Sequence, residues 1–260
     1  MTIKFVTNYP AAFITDKKIL VISDLHIGLE TELLKSGIKI HKQVEKFKEV
    51  VDKLIELTDA KALVILGDVK HKVPGAYFQE LKDIPKFLEY LSTKVKLYVI
   101  KGNHDDGIGL LMPKGVKLYG SRGLKIDKYG FFHGHAWPSK KLMKCDYLFM
   151  GHLQPGIEFR DKLGYRSRQQ AWLKTKLNRP PIKKKYNVRK FGKLNLIVLP
   201  AFNKLTGSLN VTGDEKISGP LLTNNAFTLD ESSAYLLDGT YLGDIKSLKK
   251  RFQKLLLAST

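Results

Sequence analysis

The chain has a single cysteine, Cys145, among 260 residues. No intramolecular disulfide can form, and a lone thiol suits a reducing compartment. No apolar run approaches the roughly 20 residues that a membrane-spanning helix requires. The opening MTIKFVTNYPAAFITD is interrupted by Asn8, Pro10 and Asp16, so it lacks the unbroken apolar core of a signal peptide. No internal repeat is evident. These absences lead us to expect a soluble, cytoplasmic protein with no membrane partner. Its length suits one large α/β domain or two small ones, and we expect a single unit over 1–260.

Acidic residues are also scarce. Lys and Arg number 45 against 25 Asp and Glu, a formal charge of +20. Such a balance says little about fold and much about partners, because it attracts polyanions at long range. A lysine-rich, thermophile-like surface would spread the excess evenly. Here Glu158 to Lys193 holds 13 basic residues against two acids, a net +11 in 36 residues, which leaves +9 for the other 224. The concentration favours a basic surface with a purpose.

Periodicity gives the organisation. KILVIS (18–23), ALVIL (62–66) and KLYVI (96–100) are short apolar runs that end in polar turns, as buried strands do. Ile40, Val44, Phe47, Val50, Val51, Leu54 and Leu57 predict an amphipathic helix between the first two. A second helix is expected over Gln79–Leu91, bent or delayed by Pro85. These steps imply parallel pairing with right-handed crossovers. From Val116 the strands shorten (VKLYG, GLKID, YGFFHG, DYLFMG) and suggest a second sheet. Residues 158–193 lack steady periodicity and are expected to form a basic loop or insertion. LNLIVLP (194–200), AFTL (226–229) and AYLLD (234–238) are expected to close the sheet. A final basic helix, with Leu248, Phe252 and Leu255 on one face, is expected to cover a sheet edge.

The chemistry follows the strands. After ILVIS comes Asp24-Leu25-His26, after ALVIL comes Gly67-Asp68, and after KLYVI comes Gly102-Asn103-His104-Asp105. YGFF is followed by His133-Gly134-His135, and DYLFM by Gly151-His152. The carboxyl ends of strands are where α/β sheets bind ligands. One Asp-x-His after a strand is more often a turn beside a hydrogen-bonded histidine. Five successive strand ends with such residues are different, since buried carboxylates and imidazoles would each need separate compensation. Divalent cations compensate them together, and a shared aspartate lets two ions sit close.

In this order, D-x-H, G-D, G-N-H-D, H-G-H and G-H-x-x-P resemble the calcineurin-like metallophosphoesterases, across residues 24–155. GDVKH, the run HGHAWPSKKLMKCDYLFMGHLQP and the later PAFN are most similar to the SbcD-related branch of small archaeal and bacterial phosphoesterases. The resemblance implies a two-sheet α/β/β/α sandwich and a binuclear centre. One metal would be held by Asp24, His26 and Asp68, the other by Asp68, Asn103, His133 and His152. Two divalent ions are implied, manganese foremost, with magnesium, iron, zinc or nickel also compatible. His104 would stabilise the transition state or protonate the leaving oxygen, with Asp105 orienting it. His135 is either a phosphate contact or a histidine hydrogen-bonded under its loop. Asp106 is expected in a turn. Gly67, Gly102, Gly134 and Gly151 are expected where a side chain would block a close approach.

Two positions depart from the family pattern. Gln154 stands where a second histidine usually completes the first metal's sphere, and His71 stands where many relatives have an acid. Gln154 ligates weakly, or His71 supplies the missing nitrogen or holds Gln154, or the first site is impaired. The resemblance and the basic segment together lead us to expect phosphodiester hydrolysis, with nucleic acid as substrate and partner. Arg160, Arg166, Arg168 and Arg179 would contact phosphates, with aromatic residues interleaved. A small-molecule nucleotide or pyrophosphate hydrolase, and a catalytically impaired interaction module, are the competing readings. Protein partners are left open, a homodimer among them.

Overall fold

The computed structural model describes residues 2–161, 163–213, 215 and 219–257, with side chains up to Phe252. The first sheet begins with a hairpin of β1 (Ile3–Phe5) and β2 (Ala12–Ile14). It continues through β3 (Ile19–Ile22), β4 (Ala62–Ile65), β5 (Lys96–Ile100) and β6 (Lys117–Tyr119), in that spatial order. The last four are parallel. β3 and β4 are wholly buried apolar runs, as strands covered on both faces must be.

Helices α1 (Leu29–Lys35), α2 (Gln43–Thr58) and α3 (Phe78–Lys94) make the crossovers. Helix α2 buries Val44, Phe47, Val51 and Leu54, and α3 buries Ile84, Phe87, Leu88 and Leu91, against the outer face of this sheet. Each such side chain contributes roughly 1.5–3 kcal/mol on burial. That is why α3 runs unbroken through Pro85, whose ring costs about 3 kcal/mol in a helix interior. The late start expected from Pro85 does not occur, since α3 begins at Phe78.

The second sheet contains β7 (Leu124–Ile126), β8 (Tyr129–Phe132), β9 (Tyr147–Met150), β10 (Pro155–Arg160), β11 (Arg166–Lys176), β12 (Asn195–Val198), β13 (Leu209–Asn210), β14 (Ser233–Leu236) and β15 (Tyr241–Asp244). Its spatial order is β13-β10-β11-β12-β9-β8-β7, with β14 joining β11 to β15. Val21, Val64, Ile100, Phe131, Phe149, Trp172 and Leu199 fill the space between the sheets. The second sheet's outer face is covered by a 3-10 turn (Lys140–Lys144), α4 (Arg179–Tyr186) and α6 (Ile245–Leu257), which send Leu142, Ile182 and Leu248 into a third cluster. A four-residue α5 (Pro220–Thr223) contributes Leu221 to it. The result is the expected α/β/β/α sandwich.

Several expectations need correction. The strand at Lys117–Tyr119 joins the first sheet, beside β5, rather than opening the second. AFTL (226–229) is not a strand, and its Phe227 is a loop residue plugged into the core. Residues 158–193 are not a loop: β10 and β11 form a long hairpin within the sheet, and α4 follows it. Ile157 and Phe159 alternate with Glu158 and Arg160 on β10, but the residues facing them on β11 are Gln169 and Ser167, so the apolar alternation stops at the hairpin. The final helix packs Leu248 and Phe252 on the sheet's outer face beside β15. The side chain of Leu255 lies outside the described residues.

Candidate metal centre

β3, β4 and β5 of one sheet and β8 and β9 of the other end at the same edge of the sandwich, each followed by its polar residues. The loops are tightly bent there. Asp24, His26, Asp68, His152 and Gln154 all have positive φ, between 44° and 68°. For residues other than glycine this costs about 1–3 kcal/mol each and persists only where the surroundings enforce it. Enforcement comes from backbone bonds between the loops: Asp24 N donates to Gly67 O at 3.1 Å and His26 N to Asp68 O at 2.8 Å. From the later chain, Asn203 donates to Leu25 O at 2.9 Å, which explains why PAFN accompanies the earlier motifs.

Asp68 lies at the centre. Its Oδ2 is 3.6 Å from His26 Nε2 and 3.2 Å from His133 Nε2, so one carboxylate faces both halves of the site. Asp24, His26 and Asp68 form one group whose ligand atoms lie within 4.8 Å of one another, and Asp68, His133 and His152 form another. Asn103 Oδ1 is 3.1 Å from His133 Nε2. His133 Nδ1 faces Leu66 O at 2.5 Å, an arrangement that puts a proton on Nδ1 and leaves Nε2 to face Asp68 and Asn103.

Electrostatics tests whether a cation fits. Burial pushes the Asp24 carboxyl up to about 6. Asp68 is buried too, yet His133 and His26 hold it well below the ordinary carboxylate value. Burial alone would lower His133, but Asp68 and Asp24 carry it up to about 9. Burial leaves His26 at about 3 and His152 at about 4, neutral imidazoles able to donate a lone pair. Clustered carboxylates that call for positive charge, amid neutral nitrogens, suit a divalent cation.

The family model for calcineurin-like phosphoesterases matches residues 17–229. The chain belongs to the calcineurin-like phosphoesterase family. It is therefore a hydrolase of phosphoester bonds from a family that depends on divalent metals. Among solved structures, the nuclease MPE of Pseudomonas putida is similar over 88% of this chain and 89% of its own, at 19% identity and a TM-score of 0.53. Yfce, a phosphoesterase from E. coli, aligns over 55% of this chain and 73% of its own, at 22% identity and a TM-score of 0.35. No curated protein matches.

Gln154 sits within the phosphoesterase centre. Its amide nitrogen is 3.2 Å from Asp24 Oδ1 and 3.0 Å from His26 Nε2. His71 does not hold it. His71 Nδ1 faces His26 Nδ1 at 3.3 Å, and its Nε2 faces Glu32 Oε2 at 3.1 Å. The tautomers follow in sequence. Glu32 takes the Nε2 proton, the His71 Nδ1 lone pair accepts from His26 Nδ1, and His26 Nε2 is left to face Asp68. The carbonyl of His71 accepts from His104 Nδ1 at 2.6 Å and so fixes that ring too.

Asp105 does not orient His104 by a hydrogen bond. It is 1% exposed, and it accepts from Val69 N at 2.9 Å, Lys70 N at 3.2 Å and Gly102 N at 2.8 Å. It ties the Asp68 loop to the Asn103 loop, and burial pushes its carboxyl up to about 6. His135 is half-buried beside His133, with ring centroids 5.2 Å apart, and its Nδ1 has no partner among the described residues. Sequence reasoning missed Ser23, whose hydroxyl donates to Asp24 at 2.5 Å. It also missed Glu32 and buried Glu80, which accepts from His71 N at 2.9 Å and Lys72 N at 2.7 Å. Glu32 and Glu80 act across fold contacts that no spacing signal marks, and Ser23, directly before Asp24, belongs to no motif by itself.

The four arginines are not gathered at the centre. Arg160 and Arg166 pair across the far end of the β10–β11 hairpin, roughly 17 Å along the strand from Pro155. Arg168 donates to Glu158, Glu215 and the carbonyl of Ser208. Arg179 opens α4, its guanidinium 5.7 Å from the Phe191 ring.

Proposed function

We propose that this phosphoesterase hydrolyses phosphodiester bonds in nucleic acid with two divalent cations, manganese foremost. The observation that supports it best is Asp68, a single carboxylate shared by two groups of metal-competent side chains. Asp24, His26, Asp68 and Gln154 would hold one ion, and Asp68, Asn103, His133 and His152 the other. When bound, the cations supply positive charge against the phosphoryl oxygens and lower the pKa of water in the site. Gln154 would turn its amide over so that oxygen rather than nitrogen faces the ion, a neutral and weaker donor than imidazole. His104, half-buried and fixed through Nδ1, keeps Nε2 for the phosphoryl group or the leaving oxygen. His135 lies half-buried beside His133, where its ring would contact a bound phosphate. The basic composition supports a polyanionic substrate, and the nuclease that shares this fold points the same way by analogy.

The test is hydrolysis of bis-p-nitrophenyl phosphate and of an oligonucleotide by metal-stripped protein, titrated with manganese. Activity should require manganese and fall by roughly 10²–10⁴-fold in His104→Ala. Gln154→His should saturate at lower manganese. Activity unaffected by chelators, or by loss of His104, would refute the mechanism. Turnover of the small ester without any of the oligonucleotide would remove nucleic acid as the substrate.

A further inference from the structure

The hairpin arginines are poor candidates for holding a polyanion. Arg166 lies 3.7 Å from Glu158, while Arg168 lies 3.3 Å from Glu158 and 2.8 Å from Glu215. A phosphate would have to displace a carboxylate at each. The uncommitted charge is on the outer face of the same sheet. From Lys174 to Lys204 the chain has ten Lys and Arg residues and no Asp or Glu. Lys183, Lys184 and Lys185 project from α4 into solvent, and Lys140 and Lys141 from the neighbouring 3-10 turn. Among the described residues, no carboxylate pairs with any of these five. Some lysines elsewhere are neutralised: Lys17, Lys18, Lys48, Lys128 and Lys249 each have an acidic partner. What sets these five apart is that they cluster on two adjacent elements with no acidic residue among them.

Topology connects the unpaired charge to the metal centre. β11 is antiparallel to β12, and β12 is parallel to β9, so α4 starts at the edge opposite the site. Its eight residues rise about 12 Å. It ends at Tyr186, whose hydroxyl donates to Pro138 O and whose ring meets Trp137 edge-on at 5.8 Å. Lys185 Nζ lies 5.4 Å from the centre of the same indole. Trp137 and Pro138 belong to the loop that carries His135, so α4 is fastened by its C-terminal end to the rim of the centre. Past α4 the chain returns beside the 3-10 turn, where Gly192 N donates to Met143 O at 3.0 Å. The two sets of lysines therefore flank one path down from the catalytic edge.

We infer that this lysine ridge, formed by α4 and the 3-10 turn, is the surface that holds a nucleic-acid strand and leads it to the metal centre. The inference rests on the nucleic-acid reading given above. Phosphates on the ridge position the strand without reading its sequence, so binding is strongly dependent on salt. It also explains why Tyr186 and Trp137 join α4 to the catalytic rim: a strand tracking α4 arrives at His135.

The experiment measures affinity of the metal-free protein for a labelled single-stranded oligonucleotide across a salt series. Each phosphate contact contributes roughly 0.7 to the slope of log affinity against log salt. Lys183→Gln, Lys184→Gln and Lys185→Gln together should reduce the slope by about 2, and Lys140→Gln with Lys141→Gln by about 1. Arg166→Gln with Arg168→Gln should keep the wild-type slope. All seven positions are exposed, and thermal melts of each variant verify folding. A wild-type slope in both lysine variants, or loss confined to the hairpin variant, overturns the inference. So does lysine-dependent binding to vesicles containing phosphatidylserine with none to the oligonucleotide. Cleavage is scored separately with manganese. A protein that binds through the ridge yet cuts only small esters keeps the surface and refutes the nuclease reading.

Discussion

Gly102→Ala offers a sharp test of how closely this centre is packed. Gly102 does not have positive φ, so alanine meets no backbone objection, and the effect is steric. A Cβ there would lie 2.1 Å from Asp68 Oδ1 and 2.4 Å from the Asp68 backbone nitrogen, whereas side-chain carbons essentially never come within 3.0 Å. Something must move by close to 1 Å. Asp68 is poorly placed to yield, since Oδ1 accepts from His104 N at 2.9 Å and Oδ2 faces both His26 and His133. If β5 yields instead, Asn103 and His104 move with it. A misplacement of about 1 Å in a catalytic constellation costs on the order of 100-fold in rate, and overpacking costs about 1–3 kcal/mol in stability. Gly102→Ala should therefore stay folded, lose roughly 100-fold in manganese-dependent ester hydrolysis and bind manganese more weakly by calorimetry. Gly120→Ala, with no atom within 4 Å of the new carbon, is the control. Turnover within about threefold of wild type and unchanged manganese affinity in Gly102→Ala would show that the centre does not depend on this contact.

Three further outcomes are expected. Glu32→Ala removes the acceptor that fixes the His71 and His26 tautomers, and should weaken manganese binding about tenfold with an unchanged melt. Glu32→Gln, which still accepts from His71, should restore most of the affinity, and equal affinity in all three proteins would sink the relay. Asp105→Ala orphans three buried N–H groups at about 1–3 kcal/mol each, so its denaturant midpoint should fall steeply; an unchanged midpoint would contradict the bracing role. The third outcome concerns pH. Because His133 is raised to about 9 from 6.5, its contribution to the metal-free protein is fully present below 6.5 and lost as pH rises through 9. Melts in chelator should drop between pH 7 and 10 and flatten when manganese is added, and a flat metal-free profile would argue against the His133–Asp68 pair.

The sequence by itself determined the class of fold and the composition of the centre. Short unbroken runs such as ILVI and ALVI, ended by polar turns, read as strands buried on both faces, and each delivers its polar residues at the same end because parallel strands point the same way. Family membership was legible in the same motifs, since ligands at strand ends keep a fixed order along the chain. Tertiary structure decided what the neighbours do. Asp105 looked like a partner of the adjacent His104, yet a carboxylate goes where buried N–H groups lack acceptors, and those belong to Val69, Lys70 and Gly102. His71 could have held Gln154, until Glu32 and His26 appeared on either side of it, each separated from it by 39 residues or more; it remains grouped with His26 and His104 as a metal-competent side chain. The basic segment showed its charge but not its pairing. Only folding put Glu158 and Glu215 against the hairpin arginines and left the lysines of α4 facing water, because a salt bridge depends on distance in space, which charge counted along a chain does not contain.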